Sequence, residues 1–129
     1  MTMTLLFAPL LLAVEAAPAA EPPAAGAPVT LEELSLEQAA ALRCAVGFAL
    51  VSAWQTDGDE RGADFPAVGE EGAREFFVRT MARLMDERAL DRAGVLDLVA
   101  IQQARFAARP ATLEEIMPAC LLMQRAAGL

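Results

Sequence analysis

Two cysteines, Cys44 and Cys120, and eighteen carboxylates carry most of the chemistry open to this 129-residue chain. There is no histidine, and all ten basic residues are arginine. Without imidazole there is no Ser/His/Asp or Cys/His pair and no histidine metal ligand. Without lysine there is no Schiff base and no phosphate-loop lysine. A nucleophilic thiol is usually activated by a histidine or a CxxC spacing, and this chain has neither. Arg43-Cys44-Ala45-Val46 and Ala119-Cys120-Leu121-Leu122 are apolar helical contexts in which two thiols either join or stay reduced as small buried hydrophobes. In an exported chain the expected state is a Cys44–Cys120 disulfide. Closing so long a loop removes about 4–5 kcal/mol of denatured-state entropy on the chain-closure estimate.

The carboxylates fall into patterns with ordinary explanations. Asp57-Gly58-Asp59-Glu60-Arg61-Gly62 begins like a calcium loop. Such a loop requires an oxygen at its fifth position and a bidentate Glu at its twelfth, where this chain has Arg61 and Val68. A solvated acidic turn is the expectation. Glu32 with Glu33, and Glu114 with Glu115, sit in helix-start capping boxes, which are wet, whereas a catalytic pair needs one acid in a dry pocket. Glu70 and Glu71 oppose a helix dipole. Met81, Met85, Met117 and Met123 recur at helical spacing among Leu and Phe and are expected in the core. The sequence therefore assigns no catalytic, cofactor-binding or metal residues, and its one pair with a structural role is Cys44 and Cys120.

The compartment is read from the first thirty residues. The apolar run Leu5 to Val14 has the length of a signal h-region and is too short to span a bilayer. Val14-Glu15-Ala16 ahead of Ala17 places small-residue cleavage after 16, with Ala17-Pro18-Ala19 as a second option. Met1 to Thr4 carry no basic residue, which fits a start upstream of Met1. An N-terminal amphipathic helix would have to contain Pro9, Pro18, Pro22 and Pro23. No cysteine follows the run to carry a lipid anchor. The expected organisation is a signal peptide over 1–16, a disordered Ala/Pro-rich linker over 17–29 and a helical domain over 30–129.

Charge narrows the partners. The chain carries a net charge of −8 and a pI near 4.4, with no basic stripe to displace counterions, so nucleic acid is not an expected partner. Its Ala/Arg/Gly/Pro bias looks like the coding preference of a GC-rich bacterial genome.

The elements that position these residues are all helical. No run of alternating β-branched residues lies between turn signals. A first turn over 31–34 leads from Thr30 into a helix from Leu36 to about Gln55, opened by the capping box Ser35-Leu36-Glu37-Gln38. That helix is apolar nearly all round, through Leu42, Cys44, Val46, Phe48, Leu50, Val51 and Trp54, so it should be central. Gly47 within it suits a close helix approach. Arg43 limits its continuous apolar run to Cys44–Trp54, so no stable membrane span is expected in the mature chain. Residues 57–69 should be a surface loop. An amphipathic helix follows from Glu70 to Arg88, with Glu75/Arg79 and Arg83/Glu87 paired at i, i+4. Another runs from Asp91 to Ala108, stopped by Pro110. After a short turn at the capping box Thr112-Leu113-Glu114-Glu115, the last should run from Pro118 to Ala127, with Gly128 as cap. The fold class is all-α, a small bundle of four to five helices stapled by one disulfide.

Through Arg43-Cys44-Ala45-Val46-Gly47-Phe48-Ala49-Leu50, Glu75-Phe76-Phe77-Val78-Arg79 and Cys120-Leu121-Leu122-Met123, the chain resembles small exported helical proteins of sphingomonad-type alphaproteobacteria, over roughly residues 36 to 129. The resemblance implies the periplasm or a secreted location and no known reaction. Two functions are then expected to compete. One is a non-catalytic interaction module that presents a groove to a protein or lipid partner. The other resembles, in size, helicity and paired cysteines, the acid-stress chaperones of the periplasm. Only Glu15 among the acids precedes the cleavage point, so protonation would swing the mature charge from about −7 to about +10 and loosen the fold.

Overall fold

The computed structural model describes residues Val29 to Leu129; the expected signal peptide and nearly all of the linker lie outside these residues. A 3-10 turn, Leu31–Glu33, leads into five helices: α1 Leu36–Asp57, α2 Glu60–Ala63, α3 Glu70–Arg88, α4 Arg92–Ala108 and α5 Ala111–Ala126. No strand occurs among the described residues.

The first helix starts where its capping chemistry dictates. Ser35 Oγ accepts from the Gln38 N–H at 3.1 Å, and Gln38 Oε1 accepts from the Ser35 N–H at 3.1 Å, satisfying two amides that the first turn leaves without partners. From there α1 runs 22 residues and contacts every other helix. Leu42, Ala45, Val46, Phe48 and Val51 are completely buried. By length and composition α1 could cross a membrane; here 44% of its most apolar stretch is buried inside the fold, while Leu36 at its start is exposed. The most extensive of these contacts is with α3, where Phe48 and Phe76 meet edge to face with ring centroids 5.3 Å apart.

Against α5, a glycine and the disulfide mark the contact. A Cβ added at Gly47 would lie 2.9 Å from Leu113 Cδ1, so the absent side chain at Gly47 admits the α5 side chains. Cys44 and Cys120 are bonded across this contact, with Cα atoms 5.2 Å apart and almost no exposure, 5% and 0%. Met81 and Met117 are buried, and Met85 and Met123 pack against the core at its margin, as their spacing predicts.

The structure corrects the sequence at two places. Residues 57–69 are not uniformly loop: α2 forms within them, with the Asp59 carboxylate accepting from the Arg61 N–H at 2.9 Å. The last helix does not wait for Pro118. It begins at Ala111 behind Pro110, whose φ of −58° and ψ of −33° already have helical values, and Thr112 lies inside it rather than capping it. Pro118 is tolerated in its interior because Pro118 and Glu114 lie on the exposed face, where water can satisfy the carbonyl that proline leaves without a donor. Gly128 does end this helix, at φ +78°, letting Leu129 N–H reach back to the Gln124 carbonyl at 3.1 Å.

The bond joining Cys44 and Cys120 closes a segment of 76 residues, so most of the folded chain depends on it. Reduction, or the C44A/C120A pair, is expected to remove about 2–4 kcal/mol of stability. Urea unfolding with and without reductant measures this, and superimposable curves would contradict it.

Candidate interaction groove

The site grows out of the C-terminal end of α1. Gly58 takes a left-handed conformation, φ +68°, and turns the chain back on itself. The returning α2 lies directly against the α1 backbone. A Cβ at Gly62 would sit 2.8 Å from the Gln55 amide nitrogen and 2.9 Å from the Trp54 carbonyl carbon, so only glycine fits without displacing backbone.

Gln55 fastens the segment that follows. Its Nε2 group donates to the carbonyls of Gly62 (3.1 Å), Phe65 (3.3 Å) and Pro66 (2.9 Å), and its Oε1 accepts from the Val68 N–H at 3.3 Å. From the far side Gln124, buried on α5, donates to the Val68 carbonyl at 3.2 Å. Two glutamines thus supply the partners that an irregular segment cannot supply for itself. The consequence is a fixed position for Phe65, with its ring centroid 6.1 Å from that of Trp54.

An apolar cleft of about 560 Å³ opens beside this pair. Leu50 and Trp54 of α1, Phe65, Phe106 of α4 and Leu113 of α5 line it. Arg61, Asp64, Gln103 and Glu114 supply its polar groups. The Arg61 guanidinium lies 4.6 Å above the Trp54 ring while holding Asp59 at 2.7 Å. A second cavity, of about 450 Å³, shares Phe65 with the first and is walled by Met117, Pro118, Leu121, Leu122 and, at its charged side, Arg125. Asp64, Phe65 and Glu114 line both cavities and form the saddle between them. Leu122 is 62% exposed, so the second cavity continues into open apolar surface. Volumes of this size match clefts that take a small ligand or one or two apolar side chains.

The acidic turn expected from the sequence is engaged internally. Hydrogen bonds from the Arg61 side chain and N–H bring the Asp59 carboxyl down to about 2. Among the described residues no three His, Cys, Asp or Glu side chains gather as a metal site would require. Glu32 is held below the ordinary carboxylate range first by its bond from Arg105, and Glu33 by the N–H of Thr30. Glu87 is lowered by Gln38 and then by Arg83. Glu114 faces the groove and Glu115 is exposed. Among the candidate residues the sequence singled out, Cys44 and Cys120 are brought together, as a disulfide.

Sequence reasoning missed Gln55, Gln124 and Gly62. Nothing in their local context marks a glutamine that bonds residues 7 to 13 positions ahead of it, or 56 behind. The density of turn residues over 57–69 was the only available signal.

No protein-family model matches the chain, and no curated protein or solved structure matches it either. The groove must therefore be read from its own chemistry.

Gly62→Ala is expected to cost about 1–3 kcal/mol through forced backbone displacement, and to shift the emission of Trp54, the single tryptophan. Gln55→Leu, which leaves four backbone groups of the segment without their partner, should cost a similar amount and produce the same emission shift. Unchanged emission in both would show that neither residue holds the groove.

The depressed carboxyls set the sign of a pH effect. Their stabilisation is complete above the ordinary carboxylate range and is lost as pH falls through the lowered values. The Tm is expected to be flat from neutral pH down to about 5 and to fall below that. A Tm that rises on acidification would mean that relief of the net negative charge outweighs these bonds.

Proposed function

We propose that this protein is an exported, non-catalytic interaction module whose Trp54–Phe65 groove receives a peptide segment of a protein partner. The observation that carries the reading is the pair of adjoining cavities separated by Asp64, Phe65 and Glu114. Two apolar hollows on either side of one ridge suit two apolar anchor side chains of one segment. The ridge carries two carboxylates that form no ion pair among the described residues, so a basic residue between the anchors would complement it. Trp54 and Arg61 belong to the residue types that carry most binding energy at protein interfaces.

Export is supported by the pattern of the first thirty residues and by the bonded cysteines, since such bonds persist in oxidising compartments. Intact mass of protein quenched in acid from whole cells tests this. Loss of about sixteen residues, with alkylation only after reduction, is the expected result. A full-length mass with free thiols would contradict export.

The groove is tested in living cells with a photo-crosslinking residue at Ala107, which lines the larger cavity, or at Leu122, with Val78 on α3 as the control. One defined adduct should form from both groove positions, be absent from Val78, and disappear in D64R/E114R. No adduct, equal capture from Val78, or indifference to the charge reversal would overturn the reading.

An acid-activated chaperone draws on the same carboxylates, but the six ion pairs among the described residues lie at the surface, where each contributes little. Failure to bind ANS near pH 3 would dispose of that alternative.

A further inference from the structure

A cavity of about 380 Å³ on another part of the surface differs from the groove in chemistry. It lies where the N-terminal half of α1, the C-terminal end of α4 and the first turn of α5 converge, and three of the ten arginines line it: Arg43, Arg105 and Arg109. The chain carries a net charge of −8, so this cavity is a local concentration of positive charge on an otherwise acidic protein. Arg105 is answered in part by Glu32. Arg43 and Arg109 enter no ion pair among the described residues.

We propose that this cavity binds a phosphate group. Guanidinium forks match phosphate oxygens bidentately, and several forks around one hollow suit an anion with more oxygens and more charge than a single carboxylate. One carboxylate is satisfied by one arginine here, as Glu32 is by Arg105, which leaves at least two positive charges for a guest. Two further groups can hydrogen-bond in the wall. Gln102 is only 7% exposed yet borders the cavity, and Thr112 brings a hydroxyl from the first turn of α5. The positive end of that 16-residue helix adds to the potential. Leu31, Ala39 and Phe106 complete an apolar side, which would lie against the carbon portion of a phosphate ester. The phosphate can belong to a soluble ester or to a lipid headgroup, and the two share this chemistry.

The full disulfide-bonded chain is titrated with inorganic phosphate by calorimetry, and its retention on phosphatidylglycerol vesicles is compared with that on phosphatidylcholine. R43Q/R109Q removes the two unpaired charges; R88Q/R92Q removes two arginines that do not line the cavity and enter no ion pair among the described residues. Thermal melting establishes that both pairs fold, and R109Q alone, at an exposed position, covers a failure of Arg43→Gln. Saturable binding weakened about tenfold or more by R43Q/R109Q, and changed less than about twofold by R88Q/R92Q, is the expected result. Vesicle retention that follows the same pattern assigns the phosphate to a lipid; phosphate binding without it assigns a soluble ester. No saturable binding of either probe, or equal weakening by both pairs, overturns the proposal.

Discussion

Everything in this fold follows from a helix with no polar side to give to water. The α1 surface is apolar through most of its circumference, and five of its side chains are completely sealed. A helix of that kind has no orientation on a surface that satisfies it, so the remaining helices must enclose it. With only about a hundred residues to do so, α3 and α5 make contact mainly with α1, while α4 packs against α1, α3 and α5 together. That is why the bundle is organised around a centre rather than as paired layers.

Enclosure sets up the two fastenings. Gly47 leaves room for the Leu113 side chain of α5, and the Cys44–Cys120 bond ties the two helices together. Phe48 against Phe76 does the corresponding work toward α3, and Arg79 reaches from α3 to the Ala127 carbonyl at the end of α5. The groove and the arginine cavity both form where the short covering helices leave gaps. One gap is faced with Trp54, Phe65 and Phe106, the other with Arg43, Arg105 and Arg109. Phe106 borders both, so the last turn of α4 is the wall that separates an apolar recess from a cationic one.

The segment after α1 illustrates how irregular backbone is held without secondary structure. Between Gly58 and Gly69 only α2 provides regular bonding. Gln55 and Gln124 meet the carbonyls of Gly62, Phe65, Pro66 and Val68 and the Val68 N–H from opposite sides, and no buried side-chain nitrogen or oxygen among the described residues lacks a partner. A side-chain amide suits this task because it both donates and accepts and carries no charge to desolvate.

Much of the architecture was legible in the sequence because it rests on short-range signals. The Ser35 box, the all-round apolarity of residues 36–57, the i, i+4 ion pairs of α3 and the glycine after α5 each depend on neighbours within a turn or two. The cysteine pair was legible too, because only two cysteines exist to be joined. Where local signals conflicted, the reading failed: Pro118 argued for a break, yet packing of Leu113, Met117 and Cys120 on one face of α5 outweighed a single lost hydrogen bond. The groove and the arginine cavity were illegible for a different reason. Their residues come from positions 50 to 114 and 31 to 112, and no local pattern specifies which side chains will meet. Sequence alone determined that these helices form and that α1 must be covered, because propensity and apolar periodicity act along the chain. Only the tertiary structure decided what faces the gaps between them, because that depends on how covering helices of fixed length close around one axis.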